Sequence, residues 1–258
     1  MKQEFANGAY INYTIENKIA IIEFFHPQSN SLPAALLQAM AATIEQAGKD
    51  DACKLIILRS SGNKVFCSGA SFDELAAITN AADGLQFFSG FANVINAIRC
   101  CPKFIIVRVQ GKCVGGGVGL AAAADYSIAH ESAAIKLSEL AVGIGPFVIG
   151  PAVERKCGLS AFAEASIDAA SWRSTAWALQ KELFTEVHTT VEAMDESIKK
   201  LSDTLAGYSP AAMQQFKKVL WQGTEHWDTL LKERAAMSGT LILSDYSKNF
   251  ITKFKKKV

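Results

Sequence analysis

Three consecutive glycines, Gly115, Gly116 and Gly117, close an apolar segment and open the small-residue run Gly119-Leu-Ala-Ala-Ala-Ala-Asp125. Without side chains, the backbone N–H groups at such positions come close to whatever lies against them. The run that follows reads as a tightly packed helix, whose first amides lack intrahelical partners and carry the positive end of the helix dipole. Two uses fit this arrangement. One is a cradle for an oxyanion or a phosphate; the other is close packing of a helix against its neighbours. The spacing is that of neither a Walker loop nor a GxGxxG turn after a clear dinucleotide strand, because no GK[ST] follows.

Downstream, Glu139 sits in the stretch Leu137 to Ile149, which holds no other charge. A carboxylate in apolar surroundings is expected to have a raised pKa, which suits proton transfer near neutral pH. A solvated turn acid or a helix cap is the alternative reading of the same residue.

A second glycine-bearing loop lies upstream, and here the pattern becomes specific. Phe66-Cys-Ser-Gly-Ala-Ser-Phe-Asp-Glu-Leu75 resembles the FxAGADxxEL loop of the crotonase (enoyl-CoA hydratase/isomerase) superfamily. Val109-Gln-Gly-Lys-Cys-Val-Gly-Gly-Gly117 resembles its VxGxxxGGG fingerprint, with Glu139 at a matching distance beyond the glycines. The resemblance covers nearly the whole chain. It implies an α/β fold built as a superhelix of repeated ββα units with a C-terminal helical segment. It also implies that the backbone N–H groups of Ser68 and Gly116 hold a thioester carbonyl as it becomes an enolate. Ser68 replaces the usual alanine, which leaves the amide in place. Ser71 replaces the usual aspartate, which puts the internal hydrogen bonding of that loop in question.

Gly119 is the departure with most consequence. A typical hydratase of the superfamily carries a glutamate there, facing the one that matches Glu139, so that one acid activates water while the other protonates C2. This chain keeps a single acid, as do the superfamily's Δ3,Δ2-enoyl-CoA isomerases, whose LGIxAPF-like segment resembles Val142-Gly-Ile-Gly-Pro-Phe147. The resemblance therefore implies an acyl-CoA enzyme with Glu139 as the catalytic acid–base, favouring isomerisation of 3-enoyl-CoA to 2-enoyl-CoA. Hydration of a linear or branched 2-enoyl-CoA, or acyl-CoA or acyl-carrier binding without turnover, are the alternatives. The resemblance further implies substrate contacts at His26, Gln28, Ala70, Ser71, Phe72, Gly115, Gly119 and Pro146, with Gly119 expected to leave space for an acyl branch or a water. No cofactor is expected beyond coenzyme A as part of the substrate.

Half of the 258 residues are hydrophobic, a fifth are charged and the net charge is +1. Such a chain can bury a full core and has no general attraction to nucleic acid or anionic membrane. The six cysteines form no CxxC pair, and the four histidines are scattered, so neither a zinc site nor a disulfide framework is indicated and a reducing cytoplasm is expected. Cys67 beside the Ser68 amide reads as packing. The N-terminus lacks the apolar run of a signal peptide, and Leu140–Val153 is too short and proline-interrupted to span a bilayer.

Taken in order, Tyr10–Ile15 and Ile19–Phe25 read as strands around an Asn17 turn. His26-Pro27 breaks the second, and Gln28–Leu32 resembles the superfamily's turn near the CoA moiety; His26 is a turn histidine or a ligand contact. Pro33 starts a helix to about Lys49, and Lys54–Arg59 is a buried parallel strand. A short helix over Phe72–Ala77, a mobile Thr79–Asp83 linker and a helix over Phe87–Cys100 follow. Phe104–Val109, Tyr126–Ala129 and Ala134–Leu137 are strands. Helical pieces are expected over 154–158, 160–170 and 174–182, with Trp172 and Trp177 in the core. Residues 191–258 read as helices, which the resemblance assigns to oligomerisation, as a homotrimer or a dimer of trimers, leaving 1–190 as the ββα core. The lysine-rich tail is a solvated basic end or, through Lys256 and Lys257, a contact to a CoA phosphate.

Overall fold

A computed structural model describes residues 1–255. In chain order the strands are β1 (Lys2–Glu4), β2 (Tyr10–Glu16), β3 (Ile19–Phe25), β4 (Leu55–Ser60), β5 (Val65–Cys67), β6 (Ile105–Val109), β7 (Lys112–Val114), β8 (Tyr126–His130), β9 (Ala134–Lys136), β10 (Arg173–Ser174) and β11 (Glu186–His188). The helices are α1 (Ala34–Lys49), α2 (Phe72–Ala77), α3 (Ala81–Cys100), α4 (Gly116–Ala123), α5 (Glu139–Val142), α6 (Gly150–Ile167), α7 (Thr175–Gln180), α8 (Val191–Ala206), α9 (Pro210–Leu220), α10 (Trp227–Leu241) and α11 (Asp245–Lys255).

The strands form two sheets, a seven-stranded one ordered β1-β2-β3-β4-β6-β8-β11 and a four-stranded one ordered β10-β9-β7-β5. The β2–β3 hairpin is antiparallel, and the pairings from β3 through β4, β6 and β8 to β11 are parallel. The continuous apolar run of β4 follows from that position. Ile56 and Leu58 face the main core with Leu37 and Ile98, while Leu55 and Ile57 face a second cluster with Met194 and Ile198 of α8. Parallel strands buried on both faces lose the polar alternation of a half-exposed strand. The mixed α/β architecture and its helical C-terminal segment agree with the fold expected from the sequence.

Several local expectations are corrected. Thr79–Asp83 is no linker: the Asn80 side chain accepts from Asp83 N–H at 3.0 Å and caps α3, which starts six residues earlier than its apolar periodicity suggests. The break expected between 154–158 and 160–170 is present as a kink within α6, where Gly158 takes the non-helical φ of +78° and ψ of 157°, but the first piece begins earlier, at Gly150. Trp172 is not in the core but 44 % exposed, with the Lys112 and Lys136 ammonium groups 5.1 and 5.7 Å from its ring centroid. The lysine-rich tail begins as helix α11, and Lys256 and Lys257 lie outside the described residues.

In the four-stranded sheet β5 and β7 are parallel neighbours, with Cys67 opposite Cys113. Their C-terminal ends therefore release two loops side by side, one at Ser68 and the other at Gly115.

Candidate active site

Gly69 and Gly115 take φ of +85° and +51°, conformations that L side chains rarely adopt. At Gly69 a Cβ would stand 2.8 Å from the Val114 carbonyl oxygen and 3.5 Å from Gly116 N, which measures how closely the two loops approach. Gly116 is the first residue of α4, so its N–H has no intrahelical acceptor. A side chain at Gly116 would collide with the Phe91 ring, and one at Gly117 with the Cys67 carbonyl. The glycine run serves both readings given above: it packs a helix tightly and leaves amides bare at its start.

The Ser68 loop is stitched to the turn after β3. Ser68 N–H donates to the Ser29 carbonyl at 3.2 Å, Leu32 N–H to the Gly69 carbonyl at 2.8 Å and Ser71 N–H to the Leu32 carbonyl at 3.3 Å. The Ser68 amide is thus already engaged, at a distance beyond the usual N–H···O mode, and an incoming oxygen has to share or displace Ser29. Ser71 answers the question raised by the missing aspartate: its hydroxyl accepts from Glu74 N–H at 3.4 Å and caps α2. Glu74 in turn accepts from Ala34 N–H at 2.7 Å at the start of α1. His26 lines neither the chamber nor the groove described below; buried, its Nδ1 meets the Ser31 hydroxyl at 3.0 Å and accepts from Gln28 N–H at 3.3 Å, holding the turn.

Glu139 opens α5 and projects across the glycine run, where a Cβ on Gly115 would lie 2.8 Å from its Oε1. Its Oε2 is buried and has no hydrogen-bond partner among the described residues. Burial pushes its pKa up to about 7, its own backbone N–H opposing the shift. A carboxyl with that pKa and a bare oxygen can take up and return a proton near neutral pH.

Ser68, Ala70, Phe72, Gly115, Gly116, Glu139 and Pro146 line one cavity of about 70 Å³, whose other walls include Phe88, Phe91, Phe147 and Ile149. Through Ser68, Ala70 and Phe72 it abuts a groove of about 610 Å³ lined also by Gln28, Ser29, Asp73, Phe254 and Lys255. Gly119 lines neither. The space expected there is filled: a Cβ on Gly119 would lie 2.5 Å from Ile149 Cγ2. Buried Cys67 has its thiol pushed up to about 12 by burial and accepts from Gly69 N–H at 3.4 Å, a packing residue rather than a nucleophile. Among the described residues no group of three or more His, Cys, Asp or Glu could hold a metal ion, and no helix is long and apolar enough to cross a membrane.

Sequence reasoning missed the groove's far wall. Asp73 pairs with Lys255 at 2.7 Å and accepts from Gln28 Nε2 at 2.9 Å, while Phe72 stacks on Phe254 with centroids 4.4 Å apart. The only sequence signal was the amphipathic spacing of α11, hidden by its lysines.

The α/β fold thus brings two glycine loops and a buried carboxyl onto one largely apolar chamber. The sequence profile described as "Enoyl-CoA hydratase/isomerase" matches residues 14–257, and the chain belongs to that family. It is 25 % identical over 245 residues to the short-chain-enoyl-CoA hydratase of Clostridium acetobutylicum, covering 94 % of this chain and 93 % of that protein. With a probable enoyl-CoA hydratase of Bacillus subtilis it shares 28 % identity over 140 residues, 54 % of either chain. The chain thus spans about half or less of the length of several curated relatives it matches, down to 18 % of a peroxisomal bifunctional enzyme from Cavia porcellus. Among solved structures, an enoyl-CoA hydratase from Bacillus halodurans superposes with a TM-score of 0.87 at 20 % identity, over 94 % of this chain and 99 % of that one. An enoyl-CoA hydratase/isomerase from Xanthobacter autotrophicus Py2 gives 0.85 at 21 % identity, over 95 % and 93 %.

Proposed function

We propose that this protein shifts the double bond of an enoyl-CoA from position 3 to position 2 through a thioester enolate. Gly116 N–H and Ser68 N–H, the latter released from Ser29, receive the developing oxyanion; one such donor is typically worth about 3–4 kcal/mol. Glu139 takes a proton from C2 and returns it to C4. The coenzyme A portion runs through the groove between Gln28 and Lys255, with the acyl portion in the chamber under Phe91.

The observation that carries this reading is Ile149. It occupies the volume against Gly119 into which a second acid there would have to extend, and among the described residues Glu139 is the one charged residue on the chamber wall. Hydration needs a water held and deprotonated; a proton carried along one face of an allylic enolate needs a single carboxylate. The test is to mix the protein with a 3-enoyl-CoA and follow the ultraviolet absorbance of the conjugated product. No conjugation, with crotonyl-CoA hydrated readily, overturns the proposal.

Hydration is the second reading, favoured by the names of the relatives, most of which are called hydratases. With one acid doing both transfers it should run slowly, since loss of one general acid or base costs about 10²–10⁴-fold. A protein that binds acyl-CoA without turnover would show no deuterium exchange at C2. Assembly through residues 191–258 into a homotrimer or a dimer of trimers belongs to the same proposal and is read by sedimentation velocity.

A further inference from the structure

The acyl chamber is closed on its far side by α10, and the contact that brings α10 there is unusually close. A Cβ on Gly84 of α3 would lie 2.6 Å from Gly239 Cα, so the two backbones touch with no side chain between them. That approach carries Ser238, the neighbour of Gly239, into the chamber wall beside Phe88 and Phe91. Ser238 is 1 % exposed. Other helical hydroxyls in the chain turn back onto the carbonyl four residues earlier, as Thr43, Ser166, Thr204, Thr240 and Thr252 do. The Ser238 hydroxyl makes no hydrogen bond among the described residues, and Ser238 lines the cavity.

A hydroxyl on a cavity wall that finds no partner in the protein is answered by whatever enters the cavity. Among the described residues Glu139 is the only charged one lining the chamber, so none of them offers a cation to neutralise a second carboxylate on the acyl chain, and Glu139 itself would repel one. A neutral oxygen is what the wall can satisfy. We infer that Ser238 is a specificity-determining residue that selects acyl chains bearing a neutral hydrogen-bond-accepting oxygen, a hydroxyl or a ketone, beyond the carbons on which Glu139 acts. This rests on the reading of the chamber as the acyl site given above.

The chemistry at C2 is unaffected by the choice, so deuterium exchange from solvent into C2 of saturated acyl-CoA thioesters reads occupancy of the chamber without requiring an isomerisation. The probes are pentanoyl-, hexanoyl- and heptanoyl-CoA against chains of matched length with a hydroxyl or ketone placed in turn at C4, C5 and C6. At one position the oxygenated chain should exchange about 5- to 50-fold faster, in kcat/KM, than its hydrocarbon counterpart, the range set by one satisfied hydrogen bond against an unsatisfied buried group. Ser238→Ala should abolish that preference and speed the hydrocarbon series, while near-isosteric Ser238→Cys should weaken it; the wild-type comparison stands should either variant fold poorly. Exchange with no oxygen preference at any position overturns the assignment of Ser238 and leaves the enolate reading intact. Absence of exchange from every thioester overturns both.

Discussion

Glu139 carries two predictions that pull in opposite directions. With its folded pKa raised to about 7 by burial, it binds a proton that the unfolded chain, at the ordinary glutamate value near 4.5, has already lost. Stability therefore falls as pH rises from about 4.5 to about 7 and is flat above, a penalty of order 3 kcal/mol at about 1.4 kcal/mol per unit. Glu139→Gln should remove that slope in chemical denaturation at pH 5 and pH 8 and leave the pH 8 protein more stable. The same substitution should abolish C2 exchange. In the wild type, kcat/KM should rise with pH to a plateau, with its acid-limb inflection near 7, because the carboxylate is the active form. Glu139 was legible because it is the lone charge in an apolar run. Ile149 was not: its contact with Gly119 joins residues thirty apart, and nothing in local periodicity signals which apolar side chain fills a glycine's missing volume. That contact predicts an engineered gain. Gly119→Glu alone should lower the melting temperature by pressing on Ile149, whereas Gly119→Glu with Ile149→Ala should fold and raise crotonyl-CoA hydration at least about 10-fold over wild type. A well-folded double variant with unchanged hydration would show that the missing acid is not what limits that reaction.

At the scale of elements, the sequence displayed the strands and amphipathic helices but not how they are clamped. The boundaries of α1 and β3 emerge from apolar spacing and from Pro27 and Pro33. The start of α3 depends on an Asn80 cap that a polar-looking segment conceals. Least visible is the tie between α9 and the sheet. Lys217 and Asp125, both nearly fully buried, meet at 2.7 Å; the ammonium also donates to the Ile98 and Lys103 carbonyls, and the carboxylate accepts from Trp221 Nε1 and Ile105 N–H. On paper Lys217 reads as one more exposed lysine of a helix, since a hydrophobic pattern carries no information about a buried partner 92 residues away. Every polar atom of that ion pair is answered, so breaking it should cost far more than a surface pair. Lys217→Met leaves Asp125 as an uncompensated buried charge and should reduce unfolding free energy by about 3–5 kcal/mol, measured by denaturant titration, with the helical C-terminal segment loosening first in hydrogen exchange. Gly239→Ala should also destabilise, by about 1–3 kcal/mol, because its Cβ would lie 2.6 Å from Leu85 N across the α3–α10 crossing.

Over the whole molecule the chain folds back on its own site. The last described helix, α11, lays Phe254 on Phe72 and Lys255 against Asp73, so the segment after Ser71 and the segment before residue 256 form facing walls of one groove. Asp73 is held below the ordinary carboxylate range, first by Lys255 and then by Gln28, and Gln28 belongs to the turn whose Ser29 carbonyl engages the Ser68 amide. Entry of a long ligand from the groove thus meets α11, Asp73, the turn and the Ser68 amide in sequence. The basic composition of the C-terminus suggested a solvated tail because lysine counts say nothing about the Phe250, Ile251 and Phe254 face beneath them. If the groove holds the coenzyme A portion, removing its aromatic wall should weaken binding while sparing the chemistry, because no reacting atom touches Phe254. Phe254→Ala should therefore raise KM for an enoyl-CoA about 5- to 20-fold, the worth of one lost aromatic contact, with kcat within about 2-fold and the pH inflection of Glu139 unmoved. Asp73→Asn should show a smaller effect on KM that fades in high salt, as expected of an exposed ion pair. A fall in kcat at unchanged KM would instead place α11 in the positioning of the acyl chamber and not in the capture of the substrate's far end.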